Sequence, residues 1–335
     1  MAGETIRGAS IVQWALESTK GTDLPATSKV LLEEFDAEPE DELYRPRVLN
    51  GVLLQNPGNE FPITRGSRFR VSGPASYEQM QHWFEMCIQG AVTPTGGPTY
   101  VWTHTRNATA IPVIDSATFE RRISDTSNNI DNAWHYCMPR SFTLRGAPRG
   151  VVMFEAEMFG RRIQSEALTA ALSLPTTELI SHGTSALYID GTWANRGTTL
   201  ISSQLLDWSA TIRPGFMPMY TADGRSDLDY PTHILNSDEV GIEVTAKLLI
   251  PGTSSQYATE KTAAEAATLR AVELRMTGTS PRQVKLQFLA KHEKASLFQI
   301  GTQDGQNVVE LKLVGATDAT NFMAGIVTNL VATDA

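Results

Sequence analysis

Metal or redox chemistry in this chain would have to come from six histidines and two cysteines. His82, His104, His135, His182, His233 and His292 are scattered, with no H-E-x-x-H and no His/Cys cluster to hold an ion. His135 and Cys137 stand two apart and so share a face of any strand, which packing explains as simply as ligation does. Asp223, Asp227 and Asp229 crowd one polar stretch as loose calcium ligands would. No glycine and bidentate glutamate follow at EF-hand positions. A phosphate-cradling G-x-x-x-x-G-K-[ST], a G-x-G-x-x-G turn and a G-x-S-x-G elbow are all missing from the sequence. With no catalytic, cofactor-binding or metal constellation, the sequence predicts a protein that is not an enzyme.

Composition narrows the class further. At 335 residues, 41% apolar and 19% charged, the chain has the makings of two folded domains of roughly 150 residues each. No apolar run approaches the ~20 residues of a membrane helix, and Met1–Thr5 carry no basic or apolar leader. Cys87 and Cys137 lie far apart, so buried free thiols and assembly in a cytoplasm are expected. The formal charge of −9 argues against a protein that grips nucleic acid by its phosphates.

The elements follow from periodicity. Residues 1–44 read as an extended, mostly irregular arm, with a turn at Glu17–Thr22 and an acidic run at 33–42. A first domain is expected over 45–165. Its helix is bounded by Pro74 and Gly90, opens on a Ser76/Gln79 capping box, and carries Met80, Phe84, Cys87 and Ile88 on one apolar face. Tyr100–Thr105 reads as a strand, 106–133 as irregular, and 142–158 as a hairpin turning at Gly146–Gly150. Residues 166–185 are the expected linker. A second domain, 186–335, opens with strands at 186–193 and 200–213, followed by a long polar loop at 214–239. A clean alternating strand, 240–250, comes next. A second helix is expected from a Thr262/Glu265 box through the stripe Leu269, Val272 and Met276 to Gly278, with strands at 284–290, 297–300, 308–314 and 322–332 closing the chain.

The halves match. Ser141, Gly146, Gly150, Glu155 and Gly160 meet Ser296, Gly301, Gly305, Glu310 and Gly315 at one constant shift, and the order strand, helix, strands, hairpin occurs twice. The sequence therefore predicts a mainly β (α+β) protein of two tandem domains, each of antiparallel sheet packed with one helix.

Four stretches carry a resemblance to a known family. They are Glu17–Thr22 ahead of the acidic arm, Thr93–Thr103 after the first helix, Trp134–Cys137 leading into Phe142–Arg145, and the strands 200–213 and 240–250 around their polar loop. Together they resemble the tail tube (major tail) protein of a long-tailed siphophage, of the type with two copies of the tube domain. The resemblance implies sheets that join across copies into a closed barrel, with three chains per ring and rings stacked into a hollow virion tail. It also implies tape-measure, terminator and distal tail proteins as partners, with double-stranded DNA passing through unbound and no membrane involved. On that expectation Glu155, Glu157, Glu243 and Lys247 face the channel, opposite apolar faces such as Val240–Ile250. Trp14, Phe35, Trp193, Asp223, Asp227 and Tyr230 meet neighbouring subunits, and the 1–44 arm and the 214–239 loop bridge stacked rings. Two rival expectations are a lectin-like double β-domain with Trp14 or Trp193 as a sugar platform, and another tail or baseplate ring component.

Overall fold

The computed structural model describes residues 10–17, 19–44, 60–124, 129–202, 205–223, 226–249, 254–293, 300–303 and 306–332. Ser296, Gly305 and most of the expected 297–300 strand lie outside that set. The first half contains β1 (Ser10–Glu17), β2 (Ser28–Lys29), β3 (Glu34–Pro39), β4 (Glu42–Tyr44), β5 (Phe61–Thr64), β6 (Ser67–Pro74), α1 (Met80–Cys87), β7 (Thr95–Gly96), β8 (Tyr100–Asn107), β9 (Ser116–Ser124), β10 (Asn129–Gly146) and β11 (Met153–Gly160). The second contains β12 (Ser185–Asp190), β13 (Leu200–Ser202), β14 (Leu205–Arg213), β15 (Phe216–Met219), β16 (Thr232–Leu235), β17 (Gly241–Leu249), α2 (Ser254–Glu265), β18 (Arg270–Thr277), β19 (Gln283–His292), β20 (Ile300–Gln303), β21 (Gln306–Gly315) and β22 (Asn321–Asn329). The fold is mainly β, and its ladders are antiparallel.

The two halves repeat one wiring plan. Ladders β1–β2, β1–β9, β9–β10, β10–β11, β6–β11, β3–β6 and β4–β5 define the first half. They recur as β12–β13, β12–β18, β18–β19, β20–β21, β17–β21, β14–β17 and β15–β16. The long β10 does in one strand what β19 and β20 do in two. Register shifts at Trp134/Cys137 and Pro139/Ser141, with Tyr136 at φ 53°, turn it from its ladder with β9 to its ladder with β11. An extra residue in one strand bends it, which is how one strand serves two layers.

The halves are not separate units. C-terminal β10 pairs with β14, Leu144 opposite Ala210, and β8 pairs with β22. One apolar cluster runs from Trp14, Trp83 and Phe119 to Leu286, Val309 and Leu313. Helix α1 lies at this seam, against β10, β8 and β22, and all eight of its residues are buried. It has no exposed face, where one apolar stripe was expected. Its approach to β22 is close enough that a Cβ on Gly325 would stand 2.5 Å from the Phe84 ring.

Several expectations give way here. Residues 10–44 are not an arm, because β1 lies between β2 and β9 with Trp14 and Glu17 buried. The 106–133 stretch contains β9. The capping box does not form: Gln79 spends its amide on Leu31 N–H (3.3 Å) and Lys29 O (3.1 Å), tying β2 to the helix start. The second helix ends at Glu265, and Leu269, Val272 and Met276 run into strand β18 instead. A short apolar set at 269, 272 and 276 fits a helix or a two-faced buried strand equally, and pairing with both β12 and β19 decides it. The 166–185 linker returns along the first half, with Ile180 buried and bonded to Ala75 and Val152.

Candidate functional site

Eight strands form a continuous sheet in the order β3–β6–β11–β10–β14–β17–β21–β20. Alternation gives it two unlike faces. Phe35, Val71, Ala156, Phe142, Ile212, Val244 and Leu313 are all buried on one. On the other, a single row crosses both halves: Glu34, Ser72, Glu155, Thr143, Thr211, Glu243 and Val314. Glu157 and Lys247 lie on the same face, so the four channel candidates share one polar surface.

The four channel candidates each have an ion-pair partner. Glu155 sits between Arg70 (2.7 Å) and Arg145 (3.5 Å), and Glu157 lies 3.8 Å from Arg68. Glu243 meets Lys312 at 3.2 Å, and Lys247 meets Asp207 at 3.3 Å. The sequence order gave the face but not the cations, which come from neighbouring strands. Cross-strand pairs of opposite charge support the sheet modestly, and screened exposed pairs add little each. They leave a surface that is polar and close to neutral.

The inter-subunit candidates divide. Trp14 is buried in its own half, packed against Trp83 (5.1 Å) and Phe119 (5.8 Å), with its Nε1–H donating to Ser28 Oγ at 3.1 Å. Phe35 stacks on Phe69 at 5.4 Å in the same core. Neither is open to a second molecule, and Trp14 is no sugar platform. Tyr230 is also buried, at 0% exposed. Strands β15 and β16 of the 214–239 segment fold onto the first half, where Phe216 and Tyr230 pack with Ile114, Tyr136, Met138 and Phe159.

Polar contacts hold that seat shut. Tyr230 Oη–H donates to Tyr136 O, Tyr136 Oη and His233 Nδ1 lie 2.8 Å apart, Arg162 N–H donates to Asp229 (2.9 Å), and Arg65 N–H donates to Leu228 O (3.0 Å). Tyr220 Oη–H reaches Arg65 O at 3.3 Å. Trp193 is half-buried under Arg196 (4.4 Å), Asp227 is half-buried, and Asp223 is exposed.

Sequence reasoning missed the sheet's two ends. Among the described residues β3 pairs only with β6, and β20 only with β21. Both edges therefore offer unpaired backbone. By the repeat, β3 is the counterpart of β14 and β20 the counterpart of C-terminal β10, the two strands that pair at the internal seam. Both edges were in the sequence, but their exposure depends on the order of strands in space. No family model and no curated protein matches the chain.

Proposed function

We propose that the chain is a self-assembling structural protein whose sheet joins that of its neighbours, edge to edge, into a ring. Stacked rings make a hollow tube of the kind that forms a long-tailed phage tail and conducts double-stranded DNA. The observation that carries this reading is the match between the chain's open ends and its own seam. Strand β20 of one copy can meet β3 of the next as β10 meets β14 within a chain, antiparallel and with the apolar faces on the same side. Ala37 then takes the place of Ala210, opposite Ile300 in the place of Leu144. An edge strand with free donors and acceptors is a template for such pairing. A polar, nearly neutral lining of paired charges suits a conduit, since a cationic one would hold DNA by its phosphates.

The edge can be blocked without touching the fold. Glu40 N–H bonds Gly66 O, so the antiparallel alternation turns Ala37 N–H away from β6 and toward the open side. Ala37→Pro removes that donor alone. We expect the purified protein to form tubes under the electron microscope, and the variant to melt within a few degrees of it yet stay as single chains. Normal tubes from the variant would defeat the edge-pairing reading.

A further inference from the structure

The seam that repeats between copies should repeat its clamp as well as its ladder. Within a chain, the hairpin β15–β16 leaves the end of β14 and seats its apolar residues on the first half. The hairpin β4–β5 leaves the end of β3 at the corresponding point: Leu43 stands four residues past Pro39, as Phe216 stands four past Ile212. The cross-strand pairs correspond too, Leu43–Pro62 to Phe216–Leu235 and Tyr44–Phe61 to Met217–Ile234. Yet Phe216 is buried, whereas Leu43, Tyr44, Phe61 and Ile63 are 45% to 60% exposed. In the β15–β16 ladder the Phe216–Leu235 face is the seated one while Ile234 stays exposed, so Leu43, on the matching face, is the side chain left uncovered.

The seat is duplicated and stands open as well. On the first half Tyr220 and Tyr230 cover the ends of β6 and β11, at Arg65, Gly66 and Phe159. A Cβ on Gly66 would lie 2.8 Å from Tyr220 Oη. The register-matched positions on the second half are Val240, Gly241 and Val314. A Cβ on Gly241 would meet nothing within 4 Å, and Val314, in the place of buried Phe159, is 39% exposed. These residues, with Ile242, Gly315 and five charged residues, line a cleft of about 580 Å³.

We infer that this cleft is the seat for the β4–β5 hairpin of a second copy of the same chain. The inference rests on the assembly reading above and names the contact that locks each junction. The interface is head-to-tail: each copy offers a hairpin on one side and a seat on the other, so the pairing propagates until a ring closes.

Two surface variants test it. Leu43→Asp spoils the hairpin, and Gly241→Phe fills the seat. Each changes only exposed or open positions, so wild-type melting temperatures are expected. Each alone should raise the protein concentration needed for tubes at least tenfold, by light scattering and electron microscopy. Mixed, the two variants should form discrete dimers by analytical ultracentrifugation, because the seat of the first accepts the hairpin of the second and growth stops there. Variants that assemble like wild type would overturn the hairpin–seat contact while leaving edge pairing intact. Mixtures that stay monomeric would overturn its head-to-tail form. A wild-type chain that never assembles would sink both this contact and the assembly reading.

Discussion

Glu85 is a buried acid whose carboxylate would be poorly accommodated. It lies on the buried helix α1, neither carboxylate oxygen has a hydrogen-bond partner, and His82 Nδ1 is 3.6 Å away. Burial, helped by the nearby Asp115, pushes its carboxyl up to about 8. The fold thus prefers the protonated acid, and the unfolded chain releases that proton near 4.5. Between those values the folded state binds more protons, so its stability falls as pH rises from about 4.5 to 8 and levels off above. Glu85→Gln keeps the shape and removes the titration. The melting temperature of the variant relative to wild type should climb by at least about 3 °C between pH 5 and pH 9. A difference that does not change with pH would show that Glu85 is ionised in the fold.

Elements were legible where one face is wet and the other dry. The 142–158 hairpin, 205–213 and 241–249 alternate so cleanly that their buried sets, such as Ile242, Val244, Ala246 and Leu248, could be written down residue by residue. A one-residue slip would have put every one of them in water. Strand β1 was not legible, because its buried face includes Gln13 and Glu17, whose partners come from far along the chain: Glu120 for one, Ser116, Thr118 and Tyr136 for the other. The 214–239 loop was misjudged for a related reason. Its apolar anchors, Phe216 and Tyr230, are too far apart to show a period, so it resembled a free arm. Since these anchors pack on the first half, removing one should loosen the halves. Tyr230→Ala deletes a buried ring packed on Tyr136 (5.1 Å) and Phe159 (5.7 Å), and should cost about 3 kcal/mol or more. Thermal melting checks this, and a drop below 2 °C would mean that the loop rests on the first half without holding it.

At the scale of the whole molecule, the proposed ring has a smallest size set by the strand count. Each chain has eight strands in its continuous sheet. With strands roughly 4.8 Å apart and tilted about 40°, two chains would close a barrel with a backbone diameter of about 30 Å. Inward side chains would take about 10 Å of that and leave too little for hydrated duplex DNA about 20 Å across. Three chains give about 50 Å and a lumen of about 40 Å, which clears it. On the proposed assembly, three chains are the fewest that clear the duplex, and a ring of three would place six similar units about the channel with threefold symmetry. The halves differ where α1 is wholly buried under β8 and β22, while α2 is partly exposed and lies against β19. End-on averages of tubes should therefore show six lobes that alternate in outline, with threefold symmetry, and native mass spectrometry of short assemblies should step by three chains. True sixfold lobes, or a ring of two chains, would contradict the order of strands on which this count depends.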